Sequence, residues 1–196
     1  MTKLVRYITG IIANPVSAFR MVLVDKPFVI VFSMVIVLGI AGSAIVYFSP
    51  STSSLTTEDR IIVLLFPVIG LLLWFVLSLL LYLGGRRLGG KATFKDIILI
   101  TGMANTVLIM FVFISYILLM LIRFAHIEVL SHIAISIFID CIFILWFWVL
   151  IIIGTREAQG FSTGRAIGAS IIAALYAFAI WFLLSLIPYL SWIITK

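Results

Sequence analysis

The sequence predicts an all-α polytopic membrane protein, a bundle of five transmembrane helices preceded by short interfacial amphipathic helices. Hydrophobic residues make up 65% of its 196 residues and charged residues only 10%, whereas soluble domains are about 45–50% apolar and about 25% charged. The apolar residues are concentrated in five long segments that contain no Lys, Arg or Glu. A soluble core of this size cannot bury so much apolar surface, so lipid is the expected solvent.

The five apolar segments are each long enough to cross a bilayer, which takes roughly 20 residues. The third is the longest at 26 residues, so we expect it to tilt or to project beyond the hydrocarbon. Pro67 is expected to kink the second span, and Pro188 to bend or end the last helix. Within a membrane domain of residues 27–196, the predicted spans are 27–48, 61–83, 97–122, 133–153 and 166–187.

Residues 1–26 form a separate segment that is too polar to cross the membrane. Apolar residues from Leu4 to Ile12 recur near helical spacing, and Asn14-Pro15 is typical of an N-cap followed by proline at the first helical position. Two short amphipathic helices are therefore predicted to lie in the cytoplasmic interface with their apolar faces toward lipid. The alternative is a loose cytoplasmic tail.

The distribution of basic residues predicts the orientation of the chain. Ten of the thirteen Lys and Arg residues lie before the first span, after the second or after the fourth. Because basic residues are retained on the cytoplasmic side, we expect the N-terminus inside and the C-terminus outside. The formal charge of +6 then reflects topology, and no nucleic-acid partner is expected.

A glycine-rich turn with basic residues follows the second span. Residues 85–91 match the G-x-x-x-x-G-K part of a phosphate-binding loop, but Ala92 stands where that loop needs Ser or Thr to hold magnesium. A transmembrane helix also precedes the turn in place of a strand, so no nucleotide is expected. We interpret the turn as a cytoplasmic surface that contacts lipid headgroups through Arg86, Arg87, Lys91 and Lys95.

Asp140 lies in the fourth predicted span, roughly 10 Å inside its outer end. A carboxylate at that depth is costly and is expected to face the bundle or water, or to carry a proton. His132 and Ser136 precede it at four-residue steps on nearly the same face. These residues predict either an outward-opening proton or cation site or a structural hydrogen-bonded Asp. Asn105 in the third span is a further candidate, which we interpret mainly as a packing residue.

Small residues at four-residue spacing predict close helix packing in two spans, either within the chain or between two copies. They are Gly39 and Ser43 in the first span, and Gly168, Ala169 and Ala173 in the fifth. The spans contain no paired carboxylates, metal-ligand set or Ser–His arrangement, so no catalytic residue, metal or cofactor is predicted. Cys141 is the single cysteine and cannot form an intrachain disulfide.

Five position-dependent features together resemble the Yip1 domain family of small membrane proteins. They are the N-P-x-x-x-F start at residues 14–19, the glycine turn at 84–90, the K-A-T-F-K-D run at 91–96, the G-M-A triplet at 102–104 and the loop before the last span at 157–166. The similarity covers nearly the whole chain.

The resemblance implies a role in membrane organisation. Eukaryotic Yip1-type proteins act in vesicle trafficking and organelle membrane shape, and some bind Rab GTPases. This chain has only 26 residues before its first predicted span and lacks the Asp-Leu-Tyr-Gly-Pro motif of eukaryotic members. It is therefore similar to the compact bacterial and archaeal members, and the resemblance implies a location in a prokaryotic cell membrane.

Three functions remain open from the sequence. The first is non-enzymatic organisation of membrane lipids, including anionic headgroups, or of a membrane-protein partner or a second copy of the chain. The second is a small transporter or channel that uses Asp140 as a proton or cation site. An intramembrane enzyme comes third.

Overall fold

The computed structural model describes residues 3–48, 56–124 and 129–194, and the regular structure in these ranges is entirely helical. The eight helices are α1 (Lys3–Ala13), α2 (Pro15–Asp25), α3 (Phe28–Phe48), α4 (Thr57–Leu64), α5 (Phe66–Arg87), α6 (Phe94–Phe124), α7 (Val129–Gln159) and α8 (Thr163–Ile194). The predicted all-α class is confirmed for this part of the chain.

Four helical stretches are long and apolar enough to cross a membrane. They are Phe66–Arg87, Phe94–Leu118, Ile137–Gln159 and Thr163–Ile180, and a shorter apolar helix covers Phe28–Ala44. The first, third, fourth and fifth predicted spans each fall on one of these helices, whereas the second covers the end of α4 and most of α5. The chain is therefore a membrane protein, with four candidate spans and a shorter apolar helix among the residues that the structure describes.

Two prolines affect the helices differently. The second predicted span is interrupted at Leu65, between the end of α4 and the start of α5. Pro67 lies in the first turn of α5, where its missing N–H would have no intrahelical partner in any case. Pro188 does not end α8, which continues to Ile194. The expectation that Pro188 ends the helix is therefore wrong. Proline is tolerated inside a membrane helix when neighbouring groups satisfy the backbone carbonyl that it leaves unpaired.

Helix α6 is the centre of the bundle. It packs against α3, α5 and α7, while α8 packs against α5 and α7. The candidate span in α6 is 56% buried, against 17–22% for the other three, so α6 has neighbours on several sides. Its buried residues include Ile97, Ile100 and Met103, which form the core of the bundle.

The two N-terminal helices form a hairpin that packs on the bundle. The side chain of Asn14 accepts a hydrogen bond from Ser17 N (3.2 Å) and caps α2. Helix α2 contacts α6 and α7, and α1 contacts α2 and α6. The hairpin is therefore held by protein contacts and is not a loose tail.

The apolar face of this hairpin points partly toward the bundle. Tyr7, Ile11 and Phe19 are fully buried in the protein core, whereas Leu4 and Ile12 are about 40% exposed. The expectation that the whole apolar face meets lipid is wrong for the buried residues. The periodicity of a short helix identifies its apolar face but not which apolar surface covers that face.

Candidate functional site

The N-terminal hairpin, the α5–α6 turn and the α7–α8 turn meet at one end of the bundle. Lys26 Nζ lies 3.5 Å from Asp96 Oδ1 at the start of α6. Arg20 Nε lies 2.6 Å from Glu157 Oε2 near the end of α7. We call this the basic end, because the exposed residues Arg86, Arg87, Lys91 and Lys95 lie on it.

Glu157 ties the hairpin to α7 within the basic end. Its carboxylate accepts hydrogen bonds from Arg20 and from Arg156, whose Nη2 lies 2.7 Å from Oε1. The Glu157 side chain is only 10% exposed, whereas that of Arg20 is 68% exposed. A pair with one solvated partner contributes modestly to stability. It nevertheless joins α2 to α7 at the basic end.

Tyr7 joins the two helices of the hairpin. Its hydroxyl donates a 2.6 Å hydrogen bond to Asp25 Oδ2 at the end of α2. Burial, followed by this hydrogen bond and the charge of Asp25, raises the pKa of Tyr7 to about 12. The phenol therefore remains a protonated donor throughout the physiological range.

The glycine-rich turn is closed by a side chain from another helix. Gln159, the last residue of α7, is 2% exposed, and its Oε1 accepts a hydrogen bond from Ala92 N (3.0 Å). A methyl group on Gly85 or Gly90 would collide with the Gln159 amide. The turn thus uses its glycines to admit Gln159. The Ala92 N–H is therefore not free for phosphate, unlike the donors of a phosphate-binding loop.

Replacing Gln159 with leucine should loosen this turn. The buried Ala92 N–H would lose its acceptor, which costs about 1–3 kcal/mol. We expect a lower melting temperature and faster amide hydrogen exchange across residues 88–93. Ser33→Ala is the matched control, because the Ser33 hydroxyl is exposed and bonds only within its own helix turn. Unchanged exchange in the turn would show that Gln159 does not hold it.

A lateral groove runs from the basic end between α5 and α8. Its volume is about 600 Å³, and it is lined by Leu80, Leu83, Arg86, Arg87, Tyr176, Ala179 and Ile180. The Arg87 guanidinium carbon lies 5.8 Å from the centroid of the Tyr176 ring, within the range of a cation–π contact. Positive charge and apolar surface therefore adjoin in one groove.

A hydrogen-bonded cluster joins α5 to α6 inside the bundle. Thr101 Oγ1 lies 3.0 Å from Trp74 Nε1 and 2.7 Å from Ser78 Oγ. Asn105, one turn further along α6, is 8% exposed and lines a cavity of about 260 Å³ with Gly39 and Phe147. Asn105 thus lies at a helix interface that also contains a cavity.

Asp140 lies elsewhere in the bundle. It is half-buried on α7 and does not line any of the cavities described for this protein. Phe111 of α6 meets Phe143 of α7 with ring centroids 5.0 Å apart, which aligns the two antiparallel helices. Asn105 and Asp140 are then about 13 Å apart along the helix axes, too far for a direct hydrogen bond. The side chains of His132 and Ser136 fall outside the described residues.

The small residues lie at two helix contacts. A methyl group on Gly39 would be 2.5 Å from Pro67 Cα, and Ser43 donates a 2.8 Å hydrogen bond to Gly39 O within α3. On α8, Ala169 and Ala173 are buried, while a methyl group on Gly168 would be 3.3 Å from a Leu88 methyl carbon.

Sequence patterns alone do not identify the residues that assemble the basic end: Tyr7, Asp25, Asp96, Glu157 and Gln159. Four of them can be negative or accept hydrogen bonds, and each lies beside a predicted span on the same side as the basic residues. Counting only Lys and Arg for topology left out these partners.

A protein-family profile described as the Yip1 domain matches residues 9–194. The match includes α2 through α8 and the last five residues of α1. No curated protein and no solved structure shows significant similarity to the chain.

Proposed function

This chain belongs to the Yip1 domain family, and from that premise we propose that it organises anionic lipids at the cytoplasmic face of a prokaryotic cell membrane without catalysing a reaction. The observation that carries this proposal is the basic end. Arg86, Arg87, Lys91 and Lys95 are exposed there, and within the described residues no carboxylate forms an ion pair with them.

A five-span arrangement supports the proposal. The apolar helix α3 has 21 residues, enough to span about 31 Å at 1.5 Å per residue. With α3 as the fifth span, the basic end faces the cytoplasm by the distribution of Lys and Arg. Each exposed basic residue near an anionic surface contributes about 1 kcal/mol of attraction. A membrane-protein partner, or a second copy of the chain, would bind at the same basic end.

Lipid enrichment around the reconstituted protein tests this function. In liposomes, energy transfer from the protein's tryptophans to acyl-labelled phosphatidylglycerol should exceed transfer to acyl-labelled phosphatidylcholine. Neutralising Arg86, Arg87, Lys91 and Lys95 to glutamine should abolish the difference, and high salt should reduce it. Equal transfer to the two lipids in the unmodified protein would contradict the proposal.

Transport is the second candidate function, supported by the position of Asp140 within the candidate span Ile137–Gln159. A carboxylate at membrane depth marks ion pathways in many transporters. We expect proton and cation flux in proteoliposomes to equal that of empty liposomes, for the unmodified chain and for Asp140→Asn alike. Flux that is present in the unmodified chain and lost in Asp140→Asn would establish transport instead.

A further inference from the structure

The α5–α8 groove combines the two features that a phospholipid requires. Its walls are mostly apolar, with Leu80 and Leu83 from α5 facing Ala179 and Ile180 from α8. Leu83 and Ile180 are about 43% exposed, so the apolar lining is open to the lipid phase. A soluble anion gains nothing from such a lining, whereas an acyl chain packs against it.

Two guanidinium groups contribute to the same groove. Arg86 and Arg87 end α5, and both line the groove. The Arg87 guanidinium lies over the face of Tyr176, which restrains it beside the apolar wall. In the described part of the chain neither arginine has an acidic partner. Guanidinium groups bind phosphate through paired N–H donors and hold it more specifically than lysine does.

We propose that this groove is a binding site for one anionic phospholipid, with its phosphate at Arg86 and Arg87 and one acyl chain along α5 and α8. The inference rests on the proposed function and deepens it, because it assigns one specific lipid site within the basic end. Lys91 and Lys95 lie on the same end but do not line the groove. They contribute to the positive electrostatic potential of the basic end and not to this site.

Native mass spectrometry of the detergent-solubilised chain tests the site. The protein is titrated with phosphatidylglycerol, with phosphatidylcholine and with inorganic phosphate. We expect the first phosphatidylglycerol to bind saturably. Arg86→Gln/Arg87→Gln should raise the dissociation constant of this first lipid about tenfold or more, because charge-assisted hydrogen bonds are lost. Lys91→Gln/Lys95→Gln removes the same charge from the same end and should change this dissociation constant less than about twofold.

The outcomes separate the site from the proposed function. Equal weakening by both double variants would overturn the groove site, while the preference for anionic lipid and the proposed function would stand. Displacement of phosphatidylglycerol by inorganic phosphate would also overturn the lipid site, in favour of a soluble anion. Equal binding of the two lipids by the unmodified chain would overturn both. Unchanged melting temperatures of the variants without added lipid serve as the control for folding.

Discussion

Replacing Phe19 with alanine is expected to loosen the packing of the N-terminal hairpin on the bundle while the membrane helices remain folded. Phe19 on α2 is fully buried, and its ring lies against Gly154 of α7, where an added methyl group would be 3.2 Å from the ring carbons. Truncating a buried phenylalanine to alanine costs about 3–5 kcal/mol. The ion pairs Arg20–Glu157 and Lys26–Asp96 have partly exposed partners and offset little of that loss, so the buried side chains of Tyr7, Ile11 and Val22 provide most of the packing that remains.

Amide hydrogen exchange in nanodiscs measures this loosening directly. Phe19→Ala should speed exchange across residues 15–25 and leave residues 97–107 of α6 protected. Val24→Ala is the matched control, because Val24 lies on the same helix and is 79% exposed. If Phe19→Ala left α2 as protected as the control does, contact with lipid rather than with the bundle would be holding the hairpin.

Much of the fold could be predicted because membrane helices leave a strong one-dimensional signal. Each apolar segment between polar breaks coincides with a helix, since every backbone polar group in lipid must be satisfied internally. The break at Leu65 is consistent with the position of Pro67. Helix α3 has 21 residues, close to the roughly 20 that a crossing takes.

The contacts of the hairpin and of Gln159 could not be predicted from the sequence. Tyr7 and Phe19 lie on apolar faces that fit lipid and protein equally well, and Phe19 packs against Gly154 on a helix distant in sequence. Gln159 appears in the sequence as an ordinary loop residue after an apolar span. Its role depends on glycines about 70 residues earlier, and such a long-range pairing has no local signature.

The polar residues within the spans show the same limitation. Asn105 and Asp140 were natural candidates for a shared pathway, but sequence does not fix how far one helix slides along another. The contact between Phe111 and Phe143 sets this offset and keeps the two apart. The placement of Arg86, Arg87, Lys91 and Lys95 at one end of the bundle was easier to predict, because it follows from their position beside a span and not from a particular neighbour.

Replacing Gly84 with alanine is expected to push α5 and α8 apart. A methyl group at Gly84 would lie 2.6 Å from the backbone oxygen of Ala169, an atom that cannot rotate away. Overpacking of this kind costs about 1–3 kcal/mol, and the gain in helix propensity returns at most about 1 kcal/mol. We therefore expect a lower melting temperature, by about 2–4 °C for each kcal/mol of net loss in a chain of this length.

Gly70→Ala is the matched control, because Gly70 lies on the same helix and no atom is within 4 Å of an added methyl group. It should leave the melting temperature unchanged or raise it slightly.

Gly84 lies about one turn from Leu80, so separating α5 from α8 also changes the walls of the groove. Gly84→Ala should then weaken binding of the first phosphatidylglycerol although both arginines are retained. Normal lipid binding together with a lowered melting temperature would show that the arginines alone bind the headgroup and that the helix spacing does not matter to the site.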